Sequence, residues 1–273
     1  MKLLFGPAGI PHSANSTEDA IKTVKELGLG AMELEFVRGV HTKPENAIKL
    51  GKVQQEYGIE LTAHGPYYIN LNSLEPSKIE NSIQHILKTA RIAGLSNARS
   101  ITFHAAYYMK MEPERVYQQV KTQLQKILDV LKQEKNDIMI RPELTGKPTQ
   151  FGDLKELIRL SQELENVLPC IDFSHMHART SGQNNSYNEF FKTLEELEKG
   201  LGKRVIQNMH CHVSGIEYGL KGEKNHCNLQ DSDFKYKELM KALKDFGCAG
   251  IIICESPALE EDALLMKKAY ESY

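Results

Sequence analysis

Six apolar runs in this sequence each end in a side chain that can bind a metal ion. One of them, Val167-Leu-Pro-Cys-Ile-Asp172, predicts a buried strand that stops at a carboxylate and is followed closely by His175. The six residues that end the runs are His64, His104, Glu143, Asp172, His210 and Glu255. A set of imidazoles and carboxylates without thiolates favours Zn²⁺, Mn²⁺ or Fe²⁺, because Mg²⁺ and Ca²⁺ prefer oxygen ligands throughout.

The number of these residues favours a cluster of ions over a single ion. One catalytic zinc needs three protein ligands and leaves a fourth position for water, and six residues are twice that supply. So many polar groups at one place would be costly without a cation to satisfy them. Two metal ions about 3.5 to 4 Å apart suit displacement at phosphorus, since one activates water and the other stabilises the leaving oxygen. The sequence therefore indicates two or three ions and favours phosphoryl chemistry.

The six runs belong to a regular alternation of predicted strands and helices. The first unit begins with a strand over Lys2 to Phe5, and the eighth begins with a strand over Gly250 to Glu255. Eight such units without a tight hairpin predict an all-parallel sheet with helical crossovers. We therefore predict one α/β domain over residues 1–273, a (β/α)8 TIM barrel. The alternative, an open doubly wound sheet, usually has a glycine-rich turn that Phe5-Gly-Pro-Ala-Gly9 does not match.

This fold would bring the six residues together. In a TIM barrel the active site is built from the carboxyl ends of the strands and from the loops that follow them. Each of the six residues lies at such an end, so residues from the whole chain are expected to converge on one pocket.

Composition and charge limit the classes of protein that fit. The chain of 273 residues is 41% hydrophobic, and its net charge of −2 gives no overall basic surface for nucleic acid. Any attraction for phosphate must therefore be local, from bound metal or loop lysines. The five cysteines include no Cys-x-x-Cys pair, which argues against disulfides and thiolate zinc sites. The short apolar start and the lack of a membrane-length apolar run predict a soluble, cytoplasmic protein.

Three segments carry more specific information: Ala63-His64-Gly-Pro-Tyr67-Tyr-Ile-Asn70-Leu71, Asp172-Phe-Ser-His175 and Cys254-Glu255-Ser-Pro257. These segments resemble endonuclease IV, the zinc-dependent apurinic/apyrimidinic endonucleases of the xylose-isomerase-like TIM barrel superfamily. The resemblance covers nearly the whole chain. The resemblance implies a zinc-dependent hydrolase of base excision repair that cleaves DNA 5′ to abasic sites with a metal-activated hydroxide. It implies two or three Zn²⁺ per chain, with Mn²⁺ or Fe²⁺ as alternatives. We expect a monomer that binds abasic DNA, with no obligate protein partner.

The resemblance also assigns roles to individual residues. It implies a first ion held by His64, His104 and Glu143, a second held by Glu143, Asp172, His210 and Glu255, and a third served by His175 and His226. The hydroxide would attack phosphorus near Glu143, and Lys221 or Lys224 would hold a non-bridging oxygen. Glu143 and Lys224 are thus the expected catalytic residues. The expected DNA contacts are Arg38, Tyr67, Asn70 and Lys221.

One segment departs from the family pattern at the third ion. The family uses a carboxylate from an Asp-x-His pair, whereas this sequence has Glu223-Lys224-Asn225-His226. Glu223 or the extra His212 could compensate, Lys224 could supply positive charge instead, or the third ion could be absent. The segments after His104 and Glu143 also differ from the family, so the metal residues are better preserved than the loops that read DNA.

The sequence leaves two other functions open. A sugar isomerase or epimerase on the same barrel needs one Mn²⁺, for which Glu143, Asp172, His210 and Glu255 suffice, and the other four histidines, His64, His104, His175 and His226, would then be surplus. The barrel could also bind a metal or a phosphorylated ligand without catalysis.

Some neighbouring residues are weaker candidates. His177 and His212 are expected to lie away from the ligands or at most beside them, because side chains alternate along a strand. Glu33 and Glu35 fit two descriptions equally, as outer partners of a metal-bound imidazole or as part of a buried ion-pair network.

Overall fold

Strands and helices alternate along residues 2–273, the part of the chain that the computed structural model describes. The first half contains β1 (Leu3–Pro7), α1 (Thr17–Glu26), β2 (Ala31–Glu35), α2 (Pro44–Tyr57), β3 (Glu60–His64), α3 (Pro76–Leu95), β4 (Ser100–Phe103), β5 (Ala106–Tyr107), α4 (Pro113–Gln133) and β6 (Met139–Pro142). The second half contains β7 (Gln150–Phe151), α5 (Leu154–Glu163), β8 (Ile171–Asp172), α6 (Phe173–Arg179), α7 (Tyr187–Leu201), α8 (Lys203–Ile206), β9 (Met209–Val213), β10 (Gly215–Gly219), β11 (Gly222–Cys227), a 3₁₀ turn (Leu229–Asp231), α9 (Tyr236–Asp245), β12 (Gly250–Cys254) and α10 (Glu260–Glu271).

Eight parallel strands close into a barrel. The strands β1, β12, β9 and β8 pair in one set, and β2, β3, β4 and β6 pair in another. Parallel bridges join the two sets, because Ala8 pairs with Glu33 at one seam and Glu143 pairs with Cys170 at the other. The predicted (β/α)8 barrel is therefore confirmed, and the carboxyl ends of the eight strands meet at one mouth.

The outer helices pack on the barrel through one apolar face. In α4 the residues at helical spacing are all buried, namely Val116, Val120, Leu124, Ile127 and Leu131. α5 begins with a capping box, in which Asp153 accepts a hydrogen bond from the backbone N–H of Glu156 and Glu156 accepts one from that of Asp153. No helix within residues 2–273 has the length and apolar composition needed to cross a membrane.

Two regions differ from the sequence prediction. The sequence predicts the seventh strand from Val205, but residues 203–206 form the helical turn α8 and β9 begins at Met209. It also predicts a polar connection after Val213 and no tight hairpin in the chain, but β10 and β11 form an antiparallel hairpin in that connection. The hairpin is polar on most of its length, so no alternation of apolar residues marks its strands in the sequence.

The barrel interior is polar near its mouth. On β9, His210 and His212 both face inward, since they are two residues apart in a strand and both approach Glu33 on β2. Cys211, between them, belongs to the hydrophobic core between the barrel and its helices. Polar side chains are therefore stacked inside the barrel at two depths.

Candidate metal centre

The first group of metal-capable side chains lies where β3, β4 and β6 end. Nε2 of His64 is 3.1 Å from Oε2 of Glu143, and Nε2 of His104 is 3.3 Å from Oε1 of the same carboxylate. Nδ1 of His64 lies 2.7 Å from the carbonyl oxygen of Gly65, so in the neutral ring Nδ1 donates and Nε2 presents its lone pair. One ligand atom from each of the three residues lies within 4.8 Å of the others.

The second group shares Glu143 and adds Asp172, His212 and Glu255. Nδ1 of His212 lies 3.2 Å from Oε1 of Glu255 and 3.6 Å from Oε1 of Glu143. Asp172 Oδ2, His212 Nδ1 and Glu255 Oε2 are buried and make no hydrogen bond. Buried acceptors left in this way are costly, and one divalent cation between them would satisfy all three. The nitrogen and oxygen donors fit Zn²⁺, Mn²⁺ or Fe²⁺.

His210, which the sequence analysis assigns to the second ion, does not lie in this group. It is deeper in the barrel, where its Nε2 is 3.0 Å from Oε2 of Glu33 and its Nδ1 is 3.2 Å from Oγ of Ser100. Both His210 and His212 face inward, so strand alternation cannot choose between them, and depth in the barrel decides. The structure places His212 beside the carboxylates instead.

The third group comprises His175 from α6 with Glu223 and His226 from the hairpin. Nε2 of His175 lies 3.5 Å from Oε2 of Glu223 and 3.3 Å from Nε2 of His226. The backbone N–H of His175 donates a 2.7 Å hydrogen bond to Oδ1 of Asp172, the residue that caps α6. The second and third groups are thus held together at the start of one helix.

A β-bulge gives Glu223 and His226 a common orientation. In the hairpin Tyr218 pairs with Glu223 and Glu217 pairs with Asn225, which leaves Lys224 as the extra residue. Glu223 and His226 therefore face the same side, as residues two apart in a regular strand would. Of the alternatives that the sequence left open, the structure brings Glu223 to the third group, whereas Lys224 lies against Gly219.

Glu33 is buried between two imidazoles. Its Oε1 is 2.8 Å from Nε2 of His212, and its Oε2 is 3.0 Å from Nε2 of His210. A carboxylate at the far nitrogen of a metal-binding imidazole fixes the tautomer and the orientation of the ring. With the proton on Nε2, the Nδ1 lone pair of His212 faces the second group. The short N–O distances thus favour an outer partner of the imidazoles for Glu33. Burial raises the pKa of Glu35, two residues further along β2, to about 8.

Carboxylates and imidazoles balance the charge of the site. Burial alone would raise the pKa of Glu143, but His104 and His212 hold that pKa well below its ordinary value. Burial alone would lower the pKa of His64, but its hydrogen bond to Glu143 raises the pKa to about 10. Burial raises the pKa of Asp172 to about 6. Imidazolium protons thus neutralise the same carboxylates that divalent ions would neutralise, so the arrangement is built for positive charge.

A cavity of about 320 Å³ opens above the three groups. Besides the ligand candidates it is lined by Tyr67, Tyr107, Lys147 and Gln150. The side chain of Tyr67 is 61% exposed, and its ring centroid is 5.8 Å from that of His64. The sequence analysis does not identify Lys147 as a site residue, and the signal that could have done so is its place in the loop after Glu143.

The other predicted DNA-binding residues lie outside this cavity. Arg38 is exposed after β2, and Lys221 is exposed in the turn of the hairpin. Oδ1 of Asn70 accepts hydrogen bonds of 3.1 and 3.3 Å from the backbone N–H groups of Asn72 and Tyr107. Asn70 thus holds the loops that carry the tyrosines of the mouth.

The sequence profile of one family, described as Xylose isomerase-like TIM barrel, matches residues 21–271. The chain belongs to this family. An uncharacterized protein of Methanocaldococcus jannaschii is 50% identical over 271 residues, which cover 98% of this chain and 97% of the relative. A probable endonuclease 4 of Mycoplasma genitalium is 23% identical over 204 residues, which cover 72% of this chain and 67% of the relative.

Two kinds of solved structure within this fold resemble the chain to a similar degree. A D-tagatose 3-epimerase-like protein superposes with a TM-score of 0.75 at 19% identity, covering 100% of this chain and 97% of the other. Endonuclease IV from Thermus thermophilus superposes with a TM-score of 0.72 at 17% identity, covering 98% of each chain. These likenesses show the shared barrel, and the resemblance to endonuclease IV found in the sequence is confirmed as a family relationship.

Proposed function

We propose that the protein is a zinc-dependent phosphodiesterase that cleaves DNA 5′ to abasic sites, as an endonuclease of base excision repair. The observation that carries the proposal is the presence of three ligand groups at one barrel mouth, two of which share Glu143. A cluster of ions with a bridging carboxylate suits in-line displacement at phosphorus. The match to a probable endonuclease 4 supports the same reading.

Each group would hold one ion. The first ion would bind His64, His104 and Glu143, the second would bind Glu143, Asp172, His212 and Glu255, and the third would bind His175, Glu223 and His226. When bound, such ions supply Lewis acidity, which lowers the pKa of water and offsets charge on phosphate oxygens.

The chain itself would position the reactants. Oε2 of Glu143 faces His64, and Oε1 faces both His104 of the first group and Nδ1 of His212 of the second, so one buried carboxylate joins the first two groups. Tyr67 and Tyr107 at the mouth offer aromatic surfaces on which a sugar or a base can stack. The DNA backbone would therefore lie across the mouth with one phosphate directed into the cavity.

A second candidate is a single-metal sugar isomerase or epimerase. The second group favours it, because its two glutamates, one aspartate and one histidine are the set that such an enzyme needs. The epimerase-like structure supports it as well. The first and third groups would then have no role, and we therefore place this candidate second.

One experiment separates the two functions. Metal is counted per chain in the freshly purified protein, which is then incubated with a duplex that contains one abasic site, and separately with a neutral ketohexose. We expect two or three zinc ions and chelator-sensitive incision 5′ to the site, lost in Glu143→Gln and kept in the control His41→Ala, whose side chain is exposed outside the cavity. One ion per chain, an intact duplex and an epimerised sugar would reverse the order of the two candidates.

A further inference from the structure

We propose that Lys147 is the residue that recognises the phosphate of the substrate, by binding a non-bridging oxygen at the mouth of the metal centre. This inference rests on the proposed function, because it assigns a binding residue to that same site. It also narrows the substrate to a phosphate ester.

The cavity is lined by one lysine among several acidic residues. Among the described residues that line the cavity, Lys147 is the one lysine, and no arginine accompanies it. Three glutamates line the same cavity, Glu143, Glu223 and Glu255. The lysines that form ion pairs within residues 2–273 are all elsewhere, namely Lys22, Lys78, Lys121, Lys235, Lys241 and Lys267. Lys147 as a residue is half-buried, and it forms no ion pair with these glutamates, so its charge is available to an incoming anion.

The backbone of Lys147 is fixed by a guanidinium from α6. Nη1 of Arg179 donates hydrogen bonds to the carbonyl oxygens of Lys147 at 2.7 Å and of Gln150 at 3.0 Å. The same nitrogen lies 3.0 Å from Oγ1 of Thr145. The backbone N–H of Gln150 donates a further 2.9 Å hydrogen bond to the carbonyl oxygen of Lys147. A loop held in this way presents its side chain without a large ordering cost on binding.

The hairpin holds the same loop from the other side. The backbone N–H of Glu223 donates a 3.0 Å hydrogen bond to the carbonyl oxygen of Gly146. A Cβ atom added at Gly222 would lie 3.0 Å from Cα of Lys147, so the two backbones are in close contact. The loop that carries Lys147 and the strand that carries part of the third ligand group are therefore one packed unit.

The lysines that the sequence suggested for this role are placed differently. Lys221 is exposed in the hairpin turn, and Lys224 occupies the bulge against Gly219. Neither lines the cavity. We therefore assign to Lys147 the phosphate-binding role that the sequence analysis gave to Lys221 or Lys224.

The chemistry of an ammonium group defines the ligand class. Lysine binds phosphate as a point charge, whereas a neutral ketose has no anion to meet it. The phosphate could belong to a DNA backbone or to a small sugar phosphate, and the experiment below distinguishes these two sources.

The first measurement is calorimetric binding of inorganic phosphate to the metal-loaded protein. A hydrogen bond to a charged group typically contributes enough to change affinity by about 10- to 100-fold, so Lys147→Met should weaken phosphate binding by about that factor. Lys147→Arg should stay within about threefold of the wild type, because it keeps the charge. Lys155→Met, an exposed lysine on α5, serves as the matched control. Metal content and melting temperature should be equal in all four proteins.

The second measurement follows both binding and incision of the abasic duplex at several salt concentrations. We expect the salt dependence of duplex binding to lose about one unit of slope in Lys147→Met. Phosphate affinity and incision both unchanged in Lys147→Met would overturn the inference while leaving the proposed function in place. Phosphate binding that depends on Lys147, together with an intact duplex and turnover of a sugar phosphate, would support the inference and reject the endonuclease.

Discussion

The contact between Glu33 and two imidazoles predicts that a residue outside the ligand groups controls the affinity for metal. The substitution Glu33→Gln keeps the shape of the side chain and removes its charge. A carboxylate can accept a hydrogen bond from each of two N–H groups, and Nε2 of His210 and Nε2 of His212 lie 3.0 and 2.8 Å from the oxygens of Glu33. An amide can accept from only one of them, and its own N–H₂ group then faces the second N–H. One of the two rings must therefore change its tautomer or turn away.

The size of the effect follows from that geometry. Two unit charges 3 Å apart attract by about 5 to 6 kcal/mol at an effective dielectric constant of about 20, which is an upper bound because a metal-bound neutral imidazole carries only a fraction of a charge at its far nitrogen. Outer partners of metal-bound histidines typically change affinity by about 10- to 100-fold, or about 1.4 to 2.8 kcal/mol. We expect the upper part of this range, because Glu33 is fully buried and serves two rings.

The assay is competition for zinc between the protein and a chelating dye. The ion held by the second group should be lost at a dye concentration about 100-fold lower in Glu33→Gln than in the wild type. Glu35→Gln is the control, since it makes the same substitution two residues further along the same strand, at a carboxyl group whose pKa burial raises to about 8. Equal zinc affinity in Glu33→Gln and the wild type would refute the orienting role of Glu33, and an equal loss in both variants would show that the effect is not specific to Glu33.

Three further predictions concern the ligand groups. His212→Asn should lower the zinc content by about one ion per chain, whereas His210→Asn should keep the full count with weaker affinity, and elemental analysis of the two purified variants decides between them. Gly146→Ala should remove the third ion alone, because the added Cβ would lie 2.7 Å from Oε2 of Glu223 and 2.9 Å from Cδ2 of His175. Retention of every ion in this variant would contradict that packing. Chelation should lower the melting temperature by about 10 °C, since an ion at a free concentration of about 1,000 times its dissociation constant adds about 4 kcal/mol to the free energy of unfolding. Added zinc should restore the melting temperature in a thermal scan. An unchanged melting temperature after chelation would argue against bound ions.

The fold and the convergence of the site could be predicted because both follow from simple patterns. Buried parallel strands appear as continuous apolar runs, and a polar residue at the end of such a run must lie at the barrel mouth. His64 and Glu143 are clear from this reasoning alone, and the structure brings them within 3.1 Å of each other.

The choice between His210 and His212 could not be made in the same way. Residues two apart on a strand share a face, so the alternation by which the sequence analysis set His212 aside cannot separate it from His210, and it leaves the depth of both imidazoles undefined. Depth depends on where β9 lies relative to its neighbours, and in the structure Asp172 pairs with His212. That register is a property of the closed sheet and is not visible in any one segment.

Lys147 and the hairpin escaped prediction for a related reason. The loop after Glu143 has no periodicity, so nothing in the sequence distinguishes Lys147 from other surface lysines. Its place is determined by Arg179, which comes from the next βα unit and reaches back to the loop. Contacts between loops of different units are set by tertiary structure, and the sequence of one loop does not reveal them.

The bulge at Lys224 has a consequence for how ligand candidates in such a hairpin can be spaced in the sequence. An insertion of one residue in a strand would ordinarily turn every later side chain to the opposite face, and a ligand pair split by that insertion would be lost. Here the ladder absorbs the extra residue, so Glu223 and His226 converge although they lie three positions apart in the chain. Ligand spacing in this hairpin is therefore free to drift by one position, and a search that demands a fixed motif length would pass over proteins that keep the complete ligand set.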